Sequence, residues 1–460
     1  MTLLNSPEAA AAMAPPTTSL LAPRYRWATI GMVSLIFIAA FEALAVTTIM
    51  PTVSADLDGR TWFSATFSAT LAASVVGMVA GGLWADRSGP RTPLLASVTI
   101  FGFGLLLAGL SPSIELFVAA RFIQGLGSGA MTVGLYVVVA RIYDAVDHPR
   151  IFGAFAAAWV IPGMVGPSIA GVVAEILGWR WVFLGVVALA FAAMAMLLPG
   201  MRGVADNPEP SPIASAGRLA LAAVVAGSVV GLDVAGHATG PVALVGAAIA
   251  LTVVVTAVRP LLPPGTLGLR RGLPSVIALR GAIAATFFAT EIYLPYLLQA
   301  RYDVAPWLAG ATLTVGALGW AGASQVQARL GARLPHRVAL RIGAALLLGG
   351  VTGALVTATA ELPPPLLAIA WMLAGAGMGT MYPRISALVL AASTVADQGS
   401  NSAAMSISDA VGGASAISVA GFVFTSVGTG ADLAPFVAVF ALTTALAGSA
   451  VAIARRADAR

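Results

Sequence analysis

Six ionisable residues fall inside stretches of the chain that are otherwise apolar: Glu42, Arg121, Asp233, Glu291, Arg384 and Asp409. An ionisable side chain in an apolar stretch of membrane length is expensive, and its default reading is functional. A carboxylate there can take up and release a proton, and an arginine can hold it in its charged form. At 1.5 Å per residue, Glu42 lies roughly 13 Å from the end of its stretch near Pro51, and Arg121 roughly 9–10 Å from the start of its own. The matching depths predict a Glu42–Arg121 interaction for which proton or substrate would compete. Glu291, beside Tyr293 and Pro295 near mid-depth, is expected to be a proton or cation-substrate site, because burial disfavours the charged form of a carboxylate. Its alternative is a structural partnership with an arginine such as Arg384. Asp409, about two turns into its stretch, either takes part in coupling or bonds a neighbouring helix. Tyr136, Trp159, Trp320, Trp371 and Tyr382 are able to stack on a flat or cationic substrate or to anchor at the membrane interface.

These residues need elements that can hold them in apolar surroundings, and the composition says which. Of 460 residues, 59% are hydrophobic and 9% charged, against about 25% charged in a soluble domain. Disorder and a single water-soluble core are both excluded; the bilayer is the natural solvent. The chain has no cysteine, so disulfides and thiolate chemistry are out of reach. Three scattered histidines (His148, His237, His336) do not suggest a metal site. The net charge is +5, and all 24 basic residues are arginine. They lie between apolar segments rather than on one soluble face, which excludes a nucleic-acid surface.

Apolar runs of about 20 residues occur near 27–50, 61–84, 93–111, 114–140, 151–177 and 181–200. After a polar stretch (Arg202 to Arg218) come 219–236 and 241–258, then a Pro/Gly/Arg-rich connection, 259–275. The last set lies near 279–299, 306–328, 339–360, 364–390, 400–427 and 433–454. The expected protein is therefore all-α, with fourteen spans in the order six, two, six; twelve spans plus an interfacial hairpin is the alternative. The expected units are a disordered cytoplasmic N-terminus (1–25), a six-helix half (26–200), a linker with two additional helices (201–275), a second six-helix half (276–455) and a short tail (456–460). Arg24 and Arg26 precede the first run, which reads as an uncleaved signal anchor. With the N-terminus inside, eighteen arginines fall in inner loops and only Arg60, Arg180 and Arg301 in outer ones. The positive-inside rule then puts both termini in the cytoplasm.

The two halves repeat each other. Gly125-Leu126-Gly127-Ser128-Gly129 in the fourth span matches Gly375-Ala376-Gly377-Met378-Gly379 in the fourth span of the last set. Glu42 and Glu291 occupy the two first spans, each followed by a proline (Pro51, Pro295). Repeats of this kind build carriers whose halves rock about a central site. The glycines lie within spans, where they let helices approach closely, and not at the strand–turn–helix junction a nucleotide loop requires. Asp233 and His237 belong to an extra segment outside both halves and read as structural or interfacial.

Four ordered motifs carry a family resemblance. Gly82-Leu83-Trp84-Ala85-Asp86-Arg87-Ser88-Gly89-Pro90-Arg91 resembles the cytoplasmic-loop signature of the major facilitator superfamily, with Pro90 where a basic residue is usual. Arg121-Phe122-Ile123-Gln124-Gly125 is similar to its fourth-helix motif. Pro162-Gly163-Met164-Val165-Gly166-Pro167 through Gly171 resembles the antiporter motif of drug exporters, with Ala170 at a usual glycine. Glu42 to Pro51 resembles the Asp-to-Pro motif of fourteen-span drug/proton antiporters, with Glu for Asp. The resemblance implies the major facilitator fold, two pseudo-symmetric six-helix halves with two extra central helices. It implies that the first and fourth spans line the cavity, that Asp86, Arg87 and Arg91 gate the conformational change, and that Gly163, Gly166 and Pro167 bias access. Residues expected to couple protons or bind substrate are Glu42, Arg121, Glu291, Asp409 and Arg384; none is catalytic and none binds metal.

The expected function is proton-coupled efflux of small hydrophobic or amphipathic compounds by alternating access, in the cell inner (cytoplasmic) membrane. The energy source is the proton gradient, with no cofactor. The partners are the small-molecule substrate, protons and membrane lipids, and a monomer suffices. Uptake of a metabolite and lipid translocation are the alternatives within transport. An embedded enzyme or sensor is the other class, but no HExxH, nucleophile–base pair or GxxxxGK[ST] loop is visible.

Overall fold

The computed structural model describes residues 19–144, 147–201, 216–236, 238, 240–393, 398–428 and 432–457. Most of the expected N-terminal segment, the polar stretch 202–215, His237 and the last three residues lie outside the described residues. Residues 19–25 form turns tied to the bundle: Thr29 Oγ1 donates to the Leu20 carbonyl at 2.6 Å, and Tyr25 is buried.

The described residues are helical and contain no strand. The first half comprises α1 (Arg26–Asp56), α2 (Ala65–Ser88), α3 (Arg91–Leu110), α4 (Ile114–Ile142), α5 (His148–Ile176) and α6 (Arg180–Gly200). Two further helices follow, α7 (Ala216–Ala235) and α8 (Gly240–Val258). The second half comprises α9 (Leu273–Glu291), α10 (Tyr293–Tyr302), α11 (Pro306–Leu330), α12 (His336–Thr359), α13 (Pro364–Ala391), α14 (Gln398–Val427) and α15 (Ala434–Ala454). Helices α9 and α10 form one span broken at Ile292, with Pro295 just beyond the break. The described residues thus make fourteen long helical segments, of which thirteen are long and apolar enough to cross a membrane. The exception, α11, is diluted by Gly310, Gly316, Gly319, Gly322, Gln325 and Gln327. The surface is what lipid requires: α8 exposes Val242, Leu244, Val245 and Ile249, which in water would form an adhesive patch.

Pro51 does not end the first span, as its position suggested. Helix α1 runs through it to Asp56, so Glu42 lies roughly 21 Å from that end. A proline inside a membrane helix is tolerated where packing re-satisfies the freed backbone, and Pro51 is buried.

The repeat is a structural one. In the first half α4 packs against α2 and α3, and α1 against α5 and α6; in the second, α13 packs against α11 and α12, and α9 against α14 and α15. The glycine runs explain this. Gly125 and Gly129 lie against the backbone of Thr70 and Ser74 on α2, and Gly375 and Gly379 against that of Gly316 and Trp320 on α11. The middle glycines face the other neighbour: Gly127 meets Ser97 and Phe101 of α3, and Gly377 meets Gly343 and Leu347 of α12. Each run gives one helix two close neighbours, because no Cβ keeps the backbones apart. The halves meet reciprocally, α5 on α11 and α2 on α14, while α7 covers the second seam by packing on both α2 and α14.

Candidate functional site

The structure joins Glu42 and Arg121. The Arg121 Nη1 donates to the Glu42 carboxylate and, at 2.6 Å, to Gln124 Oε1, while Nε donates to the Thr66 carbonyl at 3.1 Å. Both residues are buried, at 5% and 3% exposure. Thr70 Oγ1 donates to the Arg121 carbonyl at 3.2 Å, so α1, α2 and α4 are pinned around one ion pair. The pair holds a compensated charge inside the first half, the form in which buried charges persist.

The second half is built differently at the equivalent place. When the glycine runs are aligned, Trp371 falls where Arg121 is and Ala374 where Gln124 is. Trp371 is buried and stacks on Phe287 at 4.3 Å between ring centroids, with Trp320 edge-on to Phe287 at 5.5 Å. Phe287 lies one turn before Glu291, on the same helix face. Glu291 is 8% exposed, and among the described residues its carboxylate has no hydrogen bond or ion pair. The aromatic replacement of the arginine leaves one carboxylate of the pseudo-symmetric pair compensated and the other alone.

Arg384, the arginine of the alternative reading of Glu291, binds elsewhere. Its Nε donates to Gln327 Oε1 at 2.6 Å, and its Nη2 to the carbonyls of Gln327 and Gly331, each at 3.0 Å. It fastens α13 to the end of α11, where the negative end of the helix dipole favours a cation. Replacing Gln327 by leucine should lower stability by about 1–3 kcal/mol, the cost of stranding a buried donor. Thermal unfolding in detergent would register the loss.

Asp409 has a partner that the sequence reading missed. Arg280 Nε donates to Asp409 Oδ1 at 2.7 Å, Tyr382 OH donates to the same oxygen at 2.6 Å, and the guanidinium lies 3.3 Å from the Tyr382 ring centroid. This triad binds α9, α13 and α14 together toward the arginine-rich end of the bundle. Of the remaining aromatics, Tyr136 is half-exposed and stacks on Phe155 at 6.2 Å, while Trp159 is exposed.

Asp86, Arg87 and Arg91 are exposed at the arginine-rich junction of α2 and α3, where Gly89 takes a φ of 73°. Gly163, Gly166 and Pro167 fall on the seam that α5 makes. A Cβ on Gly163 would touch that of Ala317 on α11 at 3.1 Å, one on Gly166 would touch Phe41 of α1 at 3.3 Å, and the Pro167 carbonyl approaches Gly310 of α11. Trp179 and Arg180 both bind Asp56, at 2.9 and 3.0 Å, tying the start of α6 to the end of α1.

The arginine-poor side is sealed between the halves. Phe63, just before α2, packs 5.5 Å from the Tyr293 ring and 4.7 Å from that of Tyr296; Phe424 and Phe436 complete the cluster. Gln299 of α10 donates to the Thr48 carbonyl of α1 at 3.1 Å.

A family model described as Major Facilitator Superfamily matches residues 32–416. The chain belongs to the Major Facilitator Superfamily. It is a membrane transporter and not an enzyme. A probable multidrug-efflux transporter of Mycobacterium tuberculosis is 27% identical over 458 residues, covering 94% of each chain. An uncharacterised MFS-type transporter of the same species is 31% identical over 178 residues, 38% of this chain and 26% of that one. Among solved structures, a peptide transporter POT in complex with sulfate superposes with a TM-score of 0.68 at 16% identity, over 97% of both chains. A POT family transporter in complex with 5-aminolevulinic acid gives 0.68 at 14% identity, over 93% and 94%. At these identities the superpositions speak for the fold, two superfamily halves with an inserted helix pair.

Proposed function

We propose that this superfamily member is a proton-coupled exporter of small hydrophobic or amphipathic compounds, working by alternating access. The observation that carries the reading is the contrast between Glu42, paired with Arg121, and Glu291, equally buried and without a partner among the described residues. A lone carboxyl in apolar surroundings is least costly when neutral. It therefore binds a proton when shut off from water and releases it when reached by water on the other side. Trp320, edge-on to the buried Phe287–Trp371 stack and itself only partly buried, offers an aromatic surface to a flat or cationic substrate competing for the same carboxylate. Export rather than uptake is supported by the fifth-helix motif and by the name of the relative that matches along the whole chain.

In this reading the arginine-rich loops and both termini face the cytoplasm, in accord with the positive-inside rule, and the membrane is the cytoplasmic membrane. Both halves of the rocking unit come from one chain, so a monomer suffices. The test is transport in proteoliposomes with an imposed pH gradient, using a panel of lipophilic amines and neutral amphiphiles. Glu291→Gln should reduce gradient-driven transport to background while leaving substrate exchange without a gradient measurable. Full gradient-driven transport by Glu291→Gln would overturn the coupling assignment.

A further inference from the structure

The inserted helix pair is part of neither half, yet one of its residues holds both. Asp233, at the arginine-poor end of α7, is 5% exposed. Its Oδ1 accepts a hydrogen bond from Ser64 Oγ at 2.9 Å, and its Oδ2 accepts from Ser68 Oγ at 2.5 Å and Ser418 Oγ at 2.8 Å. Ser64 and Ser68 belong to the start of α2, in the first half; Ser418 belongs to α14, in the second. A carboxylate is an acceptor with several lone-pair sites, and here three hydroxyls from two rigid bodies converge on it.

The backbone around Asp233 is shaped for the same approach. Gly421 of α14 lies so close to Ser64 that a Cβ would overlap its hydroxyl, and that Cβ would stand 3.8 Å from Asp233 Oδ1. One turn further along α14, Thr425 Oγ1 donates to the Gly236 carbonyl at 3.3 Å. The cluster adjoins the aromatic seal, since Phe63 precedes Ser64 and Phe424 precedes Thr425. Opening this side separates α2 from α14, because they are the helices that close the seam there. Asp233 cannot keep all three hydroxyls when that happens. A buried carboxylate that loses donors in hydrocarbon becomes more costly.

We propose that Asp233 is the positioning residue of the arginine-poor gate. It ties α2 to α14 through Ser64, Ser68 and Ser418, and the inserted helix pair thereby sets the balance between the closed and open states of that side. The inference needs only the superfamily's rocking halves and is independent of proton coupling.

The chain has no cysteine, so a single reporter thiol has no background. Thr48→Cys is suitable: Thr48 is fully buried on α1, with its carbonyl bonded to Gln299 and its methyl against Gly310 of α11. Labelling by a membrane-impermeant maleimide, applied from each side in turn, reads the exposure of that seam. Asp233→Ala should raise the labelling rate from the arginine-poor side by roughly tenfold, a modest shift in a two-state balance. Ser418→Ala, which removes only the second-half donor, should move it in the same direction. Val225→Ala, on the same helix and fully buried, should lower thermal stability without changing labelling. Unchanged labelling in both Asp233→Ala and Ser418→Ala would overturn the proposal, as would an equal rise in Val225→Ala. If Asp233→Ala fails to insert, Ser68→Ala and Ser418→Ala carry the test, and unchanged labelling in both refutes it.

Discussion

Replacing Glu42 by leucine is expected to destabilise the protein by about 3–5 kcal/mol and to abolish transport. The magnitude is that of stranding one member of a buried ion pair. Arg121 is 3% exposed, and its remaining acceptors are the Thr66 carbonyl and the Gln124 side chain, which supply no countercharge. One further variant separates the structural from the functional part of the effect. In Glu42→Leu/Arg121→Met both charges are gone and the volumes are kept, so stability should recover to within about 1–2 kcal/mol of the parent, since apolar replacements of buried pairs are often tolerated. Transport should stay lost on the expectation that proton or substrate competes for this pair. Thermal unfolding in detergent and uptake into proteoliposomes measure the two outcomes separately. Transport by the double variant would reduce the pair to a packing device.

The second large effect concerns no charge at all. Gly129→Leu and Gly379→Leu are each expected to prevent recovery of a folded, monodisperse protein. Even the first added carbon at Gly129 would overlap the Ser74 carbonyl, and at Gly379 that of Trp320. These are backbone atoms of a neighbouring helix, which no rotamer change can move aside. Alanine at either position should already lower the unfolding temperature, because overpacking of a close-packed interior costs about 1–3 kcal/mol. Gly185, with open space where its Cβ would lie, is the control: Gly185→Leu should be recovered in normal yield on size-exclusion chromatography. The prediction applies equally to both halves because the same geometry occurs twice. Tolerance in one half alone would break the structural equivalence.

The fold could be read from the sequence because its signals are long and redundant. Apolar runs of membrane length located the long helices of the described residues to within about six residues at each end, and the glycine runs identified which helices correspond. The Glu42–Arg121 contact was legible because two opposite charges at matching depth, on helices of one half, have few other partners. The Arg280–Asp409 pair was not. The span holding Arg280 was placed at 279–299, which left Arg280 at its very edge, whereas α9 begins at Leu273 and carries it two turns inside. Arg384 shows its charge in the sequence but not its partner: its head is turned to the Gln327 side chain and to the carbonyls that end α11. Asp233 reads from the sequence only as structural or interfacial, because a segment outside both halves has no repeat against which to judge it. Only the packing of α7 on α2 and α14 shows that it lies on their common seam.

The low apolarity of α11 has a consequence for how the protein is made. Thirteen spans can partition into lipid on their own composition, but α11 falls short of that mark. Two of its small or polar residues are matched by α13, with Gly316 receiving Trp371 and Gln327 receiving Arg384. During synthesis α11 leaves the ribosome before α13 exists, so it has to linger at the insertion machinery, or in a shallow position, until its partner arrives. The helix that packs against α5 across the two halves is therefore the one whose entry into the bilayer depends on a later segment. Truncation of the chain just before α13 should leave α11 accessible to water-soluble labels while the spans before it are already protected.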